Sequence, residues 1–344
     1  MDTIFRGRNL IPEGHDRAIS FIDYTLSSDE RRILLATKHL RQYRYSFWAE
    51  YYVWDRDFKT LTPVFGKSKI MSPRFSPDGS KVAFIFENNL YVKDLESGEE
   101  VAVTTDGEKN VIINGVADWV YEEEFQRVRY YDWSANGTHL AYVKFNEKEV
   151  PEYSMATYGG LYPRNVKFKY PKAGEKNSIV SVHIYNVDSQ LTIGAGLSGS
   201  ADQYIPRIRW TRDNNKLAIL RMNRRQNELE MLLADANSGS VSSLHLERNK
   251  KYIEINDHWE FLKDKEHFLW VSEADGYNHI YLYDMTGKLV RQITQGEFDV
   301  TDLYGYDAST GKLYYQSAEV NPIERYVYSI DTVSYTHLTL PTKA

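Results

Sequence analysis

The fold is decided by a ten-residue stretch that occurs twice in clear form, as Phe75-Ser76-Pro77-Asp78-Gly79-Ser80-Lys81-Val82-Ala83-Phe84 and as Trp133-Ser134-Ala135-Asn136-Gly137-Thr138-His139-Leu140-Ala141-Tyr142. Each copy has an aromatic residue, a serine, a turn with Asp-Gly or Asn-Gly, and then an apolar segment. Glycine and asparagine tolerate the left-handed backbone that tight turns require. Each copy therefore predicts two strands closed by a turn.

Looser copies of this pattern extend along the chain, in segments 24–35, 210–220, 259–270 and 306–315. A second predicted hairpin follows in two units, at 90–98 and 280–288. The first five turns fall at Asp29, Asp78, Asn136, Asp213 and Asp264, which are 49, 58, 77 and 51 residues apart. Four strands repeating at a period near 50 residues are typical of the blades of a β-propeller.

The predicted fold class is therefore all-β, a β-propeller of about six four-stranded blades over residues 1–333. The repeats begin and stop in mid-pattern, so we expect an incomplete part of a larger ring, truncated at both ends. The two long intervals indicate insertions near 105–130 and 147–174. The second insertion is polar and contains several prolines, which favours an excursion above one face of the propeller.

Composition excludes several classes of function. The chain has 344 residues and a net charge of −6, with 42 basic residues but no basic block, so nucleic acid is not an expected partner. The absence of cysteine excludes disulfides, thiolate metal sites and a cysteine nucleophile. The nine histidines show no metal-binding spacing, so neither a metal nor another cofactor is expected. No export signal or membrane segment is recognisable, and the location of the protein stays unknown from the chain.

The most unusual polar segment is Ala117-Asp118-Trp119-Val120-Tyr121-Glu122-Glu123-Glu124-Phe125, in which three consecutive carboxylates lie among large apolar side chains. Neighbouring carboxylates repel each other, and a cation relieves that repulsion. The run therefore indicates an anionic pocket for a substrate ammonium. An acidic turn in water is the alternative that the residues alone leave open.

Segment 114–125 resembles the double-glutamate motif in the propeller of dipeptidyl peptidase IV enzymes, within the prolyl oligopeptidase family of serine peptidases. Segments 42–46, 141–146 followed by Val150-Pro151, 170–174 and 273–280 are also similar to that family and occur in the same order. The resemblance covers residues from about 20 to 330. It implies a propeller that caps an α/β-hydrolase domain in an exopeptidase that releases N-terminal dipeptides with Pro or Ala second.

The resemblance also implies roles for individual residues. Glu123 and Glu124 would hold the α-ammonium of the peptide, and Arg44 would contact the carbonyl of its second residue. Asp118 and Trp119 would brace the segment, and Glu122 would be structural. The chemistry agrees, because two carboxylates can accept several charge-assisted hydrogen bonds from one ammonium. Without the resemblance, Arg44 reads as an ordinary surface arginine with an ion pair.

No catalytic residue is assigned within the chain. The family's serine lies in a Gly-x-Ser-x-Gly turn, and the nearest string, Gly196-Leu197-Ser198-Gly199-Ser200, has its second glycine one place too early. We interpret it as a linker between strands. No alternating β/α pattern follows the propeller, so we expect the hydrolase domain to be absent and the chain alone to be inactive. Residues 334–344 depart from the family pattern and are predicted to be a non-native tail.

The implied partners are a peptide N-terminus, the missing hydrolase domain and a second copy of the protein in a homodimer. The parent would be periplasmic or exported, and bacterial, because animal members use cysteines that are absent here. Two alternatives stay open. One is a non-catalytic propeller that serves as a protein- or peptide-binding platform, and the other is a related peptidase that releases tripeptides.

Overall fold

The structure, a computed structural model, describes residues 6–332, and the predicted tail at 334–344 lies outside this range. A 3-10 helix (Gly7–Asn9) and a six-residue helix, α1 (Trp119–Glu124), are the helical elements of the described range. No helix in residues 6–332 has the length and apolar character needed to span a membrane. The remaining elements are antiparallel strands arranged in successive sheets.

The first three sheets are formed by consecutive parts of the chain. Sheet 1 contains β1 (Asp23–Leu26), β2 (Arg32–Arg41), β3 (Phe47–Asp55) and β4 (Thr60–Pro63). Sheet 2 contains β5 (Met71–Phe75), β6 (Lys81–Phe86), β7 (Asn89–Asp94) and β8 (Glu100–Ala102). Sheet 3 contains β9 (Ile112–Asn114), β10 (Tyr131–Trp133), β11 (His139–Asn146), β14 (Ile179–Asn186) and β15 (Leu191–Gly194). A separate hairpin of β12 (Glu152–Thr157) and β13 (Arg164–Lys169) is inserted between β11 and β14.

The last three sheets follow the same order. Sheet 4 contains β16 (Gln203–Trp210), β17 (Lys216–Asn223), β18 (Glu228–Asp235) and β19 (Val241–Arg248). Sheet 5 contains β20 (Glu260–Phe261), β21 (His267–Ser272), β22 (His279–Asp284) and β23 (Leu289–Gln292). Sheet 6 contains β24 (Val300–Asp307), β25 (Lys312–Ser317) and β26 (Tyr326–Asp331). Residues 6–332 thus form six blades, which confirms the all-β fold and the blade count predicted from the repeat.

Blade 3 differs from the predicted four strands because β9 joins it as a fifth. Strand β10 is only three residues long and pairs with Leu140–Tyr142, near the start of the eight-residue β11. Strand β9 pairs along the same edge with Lys144–Asn146, where β10 has ended. The pairing satisfies backbone groups that would otherwise be an open sheet edge. Part of the predicted insertion at 105–130 therefore belongs to the blade itself.

The repeated sequence forms the same turn in successive blades. Ser76 Oγ donates to Asp78 Oδ1 at 2.5 Å and accepts from the Lys81 amide at 2.9 Å, while Gly79 adopts a φ of +70°. The next blade repeats this arrangement, because Ser134 Oγ donates to Asn136 Oδ1 at 2.8 Å and Gly137 has a φ of +73°. The serine, the side-chain acceptor and the glycine of the pattern are thus each required by the turn.

The blades pack face to face, and the hydrophobic core lies between them. One apolar cluster joins side chains of blades 2 to 5, another joins blades 5 and 6, and a third joins blades 1 and 2. The first strands of neighbouring blades also contact each other directly. Arg74 on β5 pairs with Asp132 on β10 at 2.7 Å, and Trp210 Nε1 on β16 donates to the Asp132 carbonyl at 3.0 Å. The first strands therefore converge around the propeller axis, as the inner strands of the blades.

This topology gives the molecule two different faces. The turns between first and second strands, such as 76–80 and 134–138, lie on one face, which we call the turn face. Connections between second and third strands, and those that lead into each first strand, lie at the opposite ends of the strands, on the site face. Segments 42–46 and 115–130 and the β12–β13 hairpin all belong to the site face. The functional residues predicted from the sequence are therefore brought to one side of the propeller.

Candidate functional site

The acidic run forms the short helix α1, and Asp118 begins it. The Asp118 side chain accepts a hydrogen bond from the Tyr121 amide at 2.9 Å, which satisfies one of the free amides at a helix N-terminus. Its other oxygen accepts from Ser178 Oγ at 2.5 Å. Burial raises the pKa of this carboxyl, and the bonds from Ser178 and Tyr121 oppose that effect. Asp118 thus links α1 to blade 3.

Tyr121 anchors α1 to the core of the propeller. Its side chain is 1% exposed, and its hydroxyl accepts a hydrogen bond from the Ile205 amide of blade 4 at 2.9 Å. The ring makes edge contacts with Phe125, Tyr130 and Phe145 at centroid distances of 5.1, 5.4 and 4.8 Å. Edge-to-face pairs of this kind add to the free energy of burial. The helix is therefore rigidly seated although it has fewer than two turns.

Trp119 faces a different neighbour. Its ring lies 4.2 Å, centroid to centroid, from Tyr170, and Tyr170 in turn packs on Tyr153 of the β12–β13 hairpin at 5.4 Å. The contact joins α1 to the inserted hairpin. Asp118 and Trp119 thus contact different neighbours, Ser178 of blade 3 and Tyr170 beside the hairpin.

The three glutamates differ sharply in environment because consecutive helical residues point about 100° apart. Glu122 is 2% exposed, and its Oε1 accepts hydrogen bonds from the amides of Tyr45 at 2.7 Å and Ser46 at 2.8 Å. Glu123 is half-buried, and Glu124 is exposed. Glu122 therefore fixes the 42–46 loop, while the other two carboxylates face outward.

Arg44, at the tip of that loop, forms a two-point ion pair with Glu123. Arg44 Nε lies 2.8 Å from Glu123 Oε2, and Arg44 Nη2 lies 2.8 Å from Oε1. Parallel guanidinium–carboxylate contacts orient both side chains. The bond to Glu123 raises the pKa of Arg44. The structure thus brings together two of the predicted site residues, 79 positions apart in sequence.

Glu124 is not part of this pair. No ion pair or hydrogen bond of its carboxylate is found within residues 6–332. Arg44, Glu123 and Glu124 together carry two negative charges and one positive charge. A carboxylate has about four lone-pair positions, so Glu123 can accept further hydrogen bonds while it is paired with Arg44. The group is able to accept one more cation with several N–H donors.

A cavity of about 1930 Å³ opens beside this group. It is larger than the usual range for small-molecule sites, about 300–1,000 Å³, and is suited to an extended ligand. Its wall combines aromatic and charged side chains. Its lining residues include Tyr43, Arg44, Trp48, Trp119, Glu123, Glu147 and Phe168.

Glu147 is a lining residue that the sequence did not single out. It is 6% exposed, and burial, with a further contribution from Asp118, raises its pKa to about 7. Burial also raises the pKa of the neighbouring Tyr43 to about 12. Glu147 directly follows the resembling segment 141–146, at the end of an apolar strand. The sequence signal that could have identified Glu147 is a carboxylate at the end of an apolar strand. The burial of this side chain, however, depends on packing against Asn110 and Tyr43.

Other features of the sequence have structural positions. Gly196–Ser200 lies in the connection from β15 to β16, as the linker interpretation predicted. His139 is 5% exposed and packs on Trp210 at 5.8 Å, and Asn136-Gly137-Thr138 forms a turn on the turn face. Within residues 6–332 no group of three His, Asp or Glu side chains is arranged to hold a metal ion.

Six antiparallel blades with an acidic helix and a paired arginine on one face define a β-propeller domain with a candidate site for a cationic group. The sequence model of the family described as the dipeptidyl peptidase IV (DPP IV) N-terminal region matches residues 27–343. The chain belongs to this family, as the sequence motifs predicted.

Known relatives agree with that assignment. A probable dipeptidyl peptidase 4 of Aspergillus flavus is 30% identical over 93% of this chain and 43% of its own length. A dipeptidyl peptidase 4 of Arthroderma otae is 30% identical over 90% of this chain and 42% of its own length. The chain thus spans less than half the length of these curated relatives.

Two solved structures are similar to the fold. The crystal structure of Porphyromonas gingivalis dipeptidyl peptidase 4, a bacterial protein, superposes with a TM-score of 0.91 and 42% identity, over 98% of this chain and 48% of that one. A putative dipeptidyl aminopeptidase IV from Bacteroides ovatus superposes with a TM-score of 0.69 at 20% identity. The second likeness supports the fold alone.

Proposed function

We propose that this chain is the substrate-binding and gating propeller of a dipeptidyl peptidase IV-like serine exopeptidase, which releases N-terminal dipeptides with Pro or Ala in second position. In this proposal the catalytic serine belongs to a hydrolase domain outside the 344 residues. The propeller contributes the binding of the substrate's amino end and excludes blocked peptides.

The arrangement of Arg44, Glu123 and Glu124 carries the proposal. Arg44 and Glu123 line the large cavity and offset each other's charge, so the adjacent Glu124 leaves one negative charge, which one α-ammonium would neutralise. Glu124 supplies a free carboxylate, and Glu123 supplies its remaining lone pairs. With the ammonium fixed there, only a bond at one set distance along the peptide reaches a nucleophile in the neighbouring domain.

The rigidity of the support favours binding over a solvated acidic turn. Buried Asp118, Tyr121 and Glu122 each make specific hydrogen bonds that hold α1 and the Arg44 loop in place. A site whose polar groups are already positioned loses less entropy when it binds a ligand. A solvated turn would need none of these contacts.

Calorimetry with the purified chain tests the proposal. A Gly-Pro-Gly amide with a free amino end should bind at least about tenfold more tightly than its N-acetylated form, because the charge-assisted bonds are lost on acetylation. Glu124→Gln should weaken binding of the free peptide. Glu96→Gln, an exposed substitution on the turn face, is the control. Equal affinity for the free and acetylated peptides would refute the anchoring role.

A protein-binding platform is the second candidate, and the β12–β13 hairpin favours it. Three large side chains at its tip are strongly exposed, Tyr158 by 82%, Leu161 by 93% and Tyr162 by 79%. A second copy of the protein is the partner we propose for this surface. Light scattering of the chain and of a Leu161→Ser variant tests it, with dimer expected only for the unaltered chain. A monomer in both samples would contradict this assignment.

A further inference from the structure

A second pocket, of about 400 Å³, shares the 42–46 loop with the large cavity. Tyr45 and Ser46 line this pocket, while Tyr43 and Arg44 line the large cavity. The rest of the wall comes from inner strands β1 and β5, from β2 and β3 of blade 1, and from residues 126–129, which lead into inner strand β10. The pocket therefore lies toward the propeller axis, and we call it the axial pocket.

The surroundings of the axial pocket carry more positive than negative charge. Arg127 and Arg129 line the pocket together with Asp23, whose Oδ1 accepts the Tyr24 amide at 2.8 Å. On the adjoining inner strands, Arg74 is paired with Asp132, and Arg207 and Arg209 lie near Asp257, in the connection that leads into β20. Two arginines and one aspartate thus line the pocket, which leaves a surplus of one positive charge on its wall.

Asp257 is shared by three of these arginines. It lies 2.7 Å from Arg207 Nε, 3.3 Å from Arg127 Nη1 and 4.0 Å from Arg209 Nη2. One carboxylate cannot balance three guanidinium groups. The charge of Arg127, on the pocket side, is therefore only partly compensated.

The charge of Arg129 is compensated even less than that of Arg127. Its Nε is buried and has no hydrogen-bond partner within residues 6–332, and no carboxylate in that range is within ion-pair distance of its guanidinium. Its nearest π-contact is the Tyr131 ring, at 5.9 Å. Burial lowers the pKa of Arg129, and Arg74 and Arg127 add to this effect. A buried charge without a partner is costly, and an anion in the pocket would remove that cost.

We propose that the axial pocket binds a carboxylate of the same peptide whose amino end is held at Glu123 and Glu124, with Arg129 and Arg127 as its ligands. This inference rests on the proposed function. A guanidinium presents its N–H donors to a carboxylate in a planar fork, which suits the two arginines on the pocket wall. The carboxylate is either an acidic side chain or the C-terminus of a short peptide.

The spacing of the two sites limits the length of the ligand. Arg129 follows Glu124 by five positions, so their Cα atoms are at most about 18 Å apart. An extended peptide of about five residues covers that distance. The preferred ligand is therefore a short peptide with a carboxylate within roughly its first six residues.

Three pentapeptides separate the sources of the carboxylate. Gly-Pro-Gly-Gly-Gly amide is neutral beyond its amino end, the free acid adds a C-terminal carboxylate, and Gly-Pro-Gly-Asp-Gly amide adds a side-chain carboxylate. Calorimetry at low salt should show about tenfold tighter binding of at least one carboxylate peptide than of the neutral amide. Arg129→Gln should bring the three affinities to within about a factor of two. The control Arg56→Gln, at a partly exposed position on the turn face, should keep the preference.

The outcomes separate this inference from the proposed function. Equal affinities for all three peptides in the unaltered chain would overturn the carboxylate site while leaving the amino-end site intact. A preference that survives in Arg129→Gln and in the less buried Arg127→Gln would overturn it as well. If circular dichroism shows that Arg129→Gln does not fold, the peptide preference of Arg127→Gln alone decides whether the carboxylate site exists. If no peptide with a free amino end binds, both proposals fail.

Discussion

The turn face and the site face of the propeller differ in the kind of contact that builds them. On the turn face, successive blades use the same local device, a serine that bonds to an acidic or amide side chain two positions later, as in Ser76 and Asp78. On the site face every connection is different, and its contacts join distant segments, as Glu122 does with Tyr45, 77 positions earlier. Local repetition therefore builds the scaffold, and long-range contacts build the site.

The largest effect is expected at a long-range contact of the site face. Glu122→Ala leaves the part-buried amide of Tyr45 and the buried amide of Ser46 without an acceptor, and it should lower the free energy of unfolding by about 3–4 kcal/mol. Urea denaturation measures this loss. Glu123→Ala, the matched control one position along the same helix, removes a partly exposed ion pair and should cost about 1 kcal/mol or less. Equal losses would mean that the buried bonds do not hold the Arg44 loop.

A pH dependence of stability should arise at Glu147, also on the site face. Its folded-state pKa of about 7 lies above the 4.5 of an ordinary glutamate, so between these values the folded chain holds a proton that the unfolded chain has released. The contribution of Glu147 to the free energy of unfolding is complete below about pH 4.5. It is lost as the pH rises to about 7, and the total loss is about 3 kcal/mol. Denaturation of Glu147→Gln across this range should show a shallower pH slope. An unchanged pH slope would show that a group other than Glu147 causes the pH dependence of stability.

The smallest effect should come from a single copy of the repeated turn. Gly79→Ala puts a side chain at a φ of +70° with its Cβ 3.2 Å from the Ser27 Cβ, and it should cost about 2 kcal/mol without changing peptide affinity. Gly311→Ala is the matched control, because Gly311 has the same φ of +70° but open space around it. It should cost about 1 kcal/mol, the strain alone. An equal cost for the two substitutions would show that the contact between neighbouring turns does not contribute to stability.

The sequence predicted the parts of the structure that local chemistry determines. The Ser-Pro-Asp-Gly and Ser-Ala-Asn-Gly turns identify the hairpins, and their period gives six blades. Strand β9 escaped prediction because a three-residue strand has too little pattern and exists only through its pairing with β11. The family motif named Glu123, Glu124 and Arg44, but the direct ion pair between Arg44 and Glu123 depends on how blades 1 and 3 approach each other.

Residues whose importance depends on burial were beyond the sequence. Glu147 and Arg129 look like ordinary charged residues in the chain, and only packing removes them from water. Glu122, Glu123 and Glu124 could be separated by the family motif, but their distinct surroundings follow from the direction in which each leaves α1. Burial of a polar group is decided by contacts that are remote in sequence, and these require the three-dimensional arrangement.

The central claim is that the carboxylate of Glu124 binds the charged amino end of a peptide, and a thermodynamic cycle tests it most directly. One change in the cycle is Glu124→Gln, and the other is acetylation of the amino end of Gly-Pro-Gly amide, with all four affinities measured by calorimetry. If Glu124 binds the ammonium, the two losses in affinity are strongly non-additive, with a coupling of at least about 1.4 kcal/mol, or tenfold. Additive losses would show that Glu124 and the ammonium do not interact, and would contradict the account.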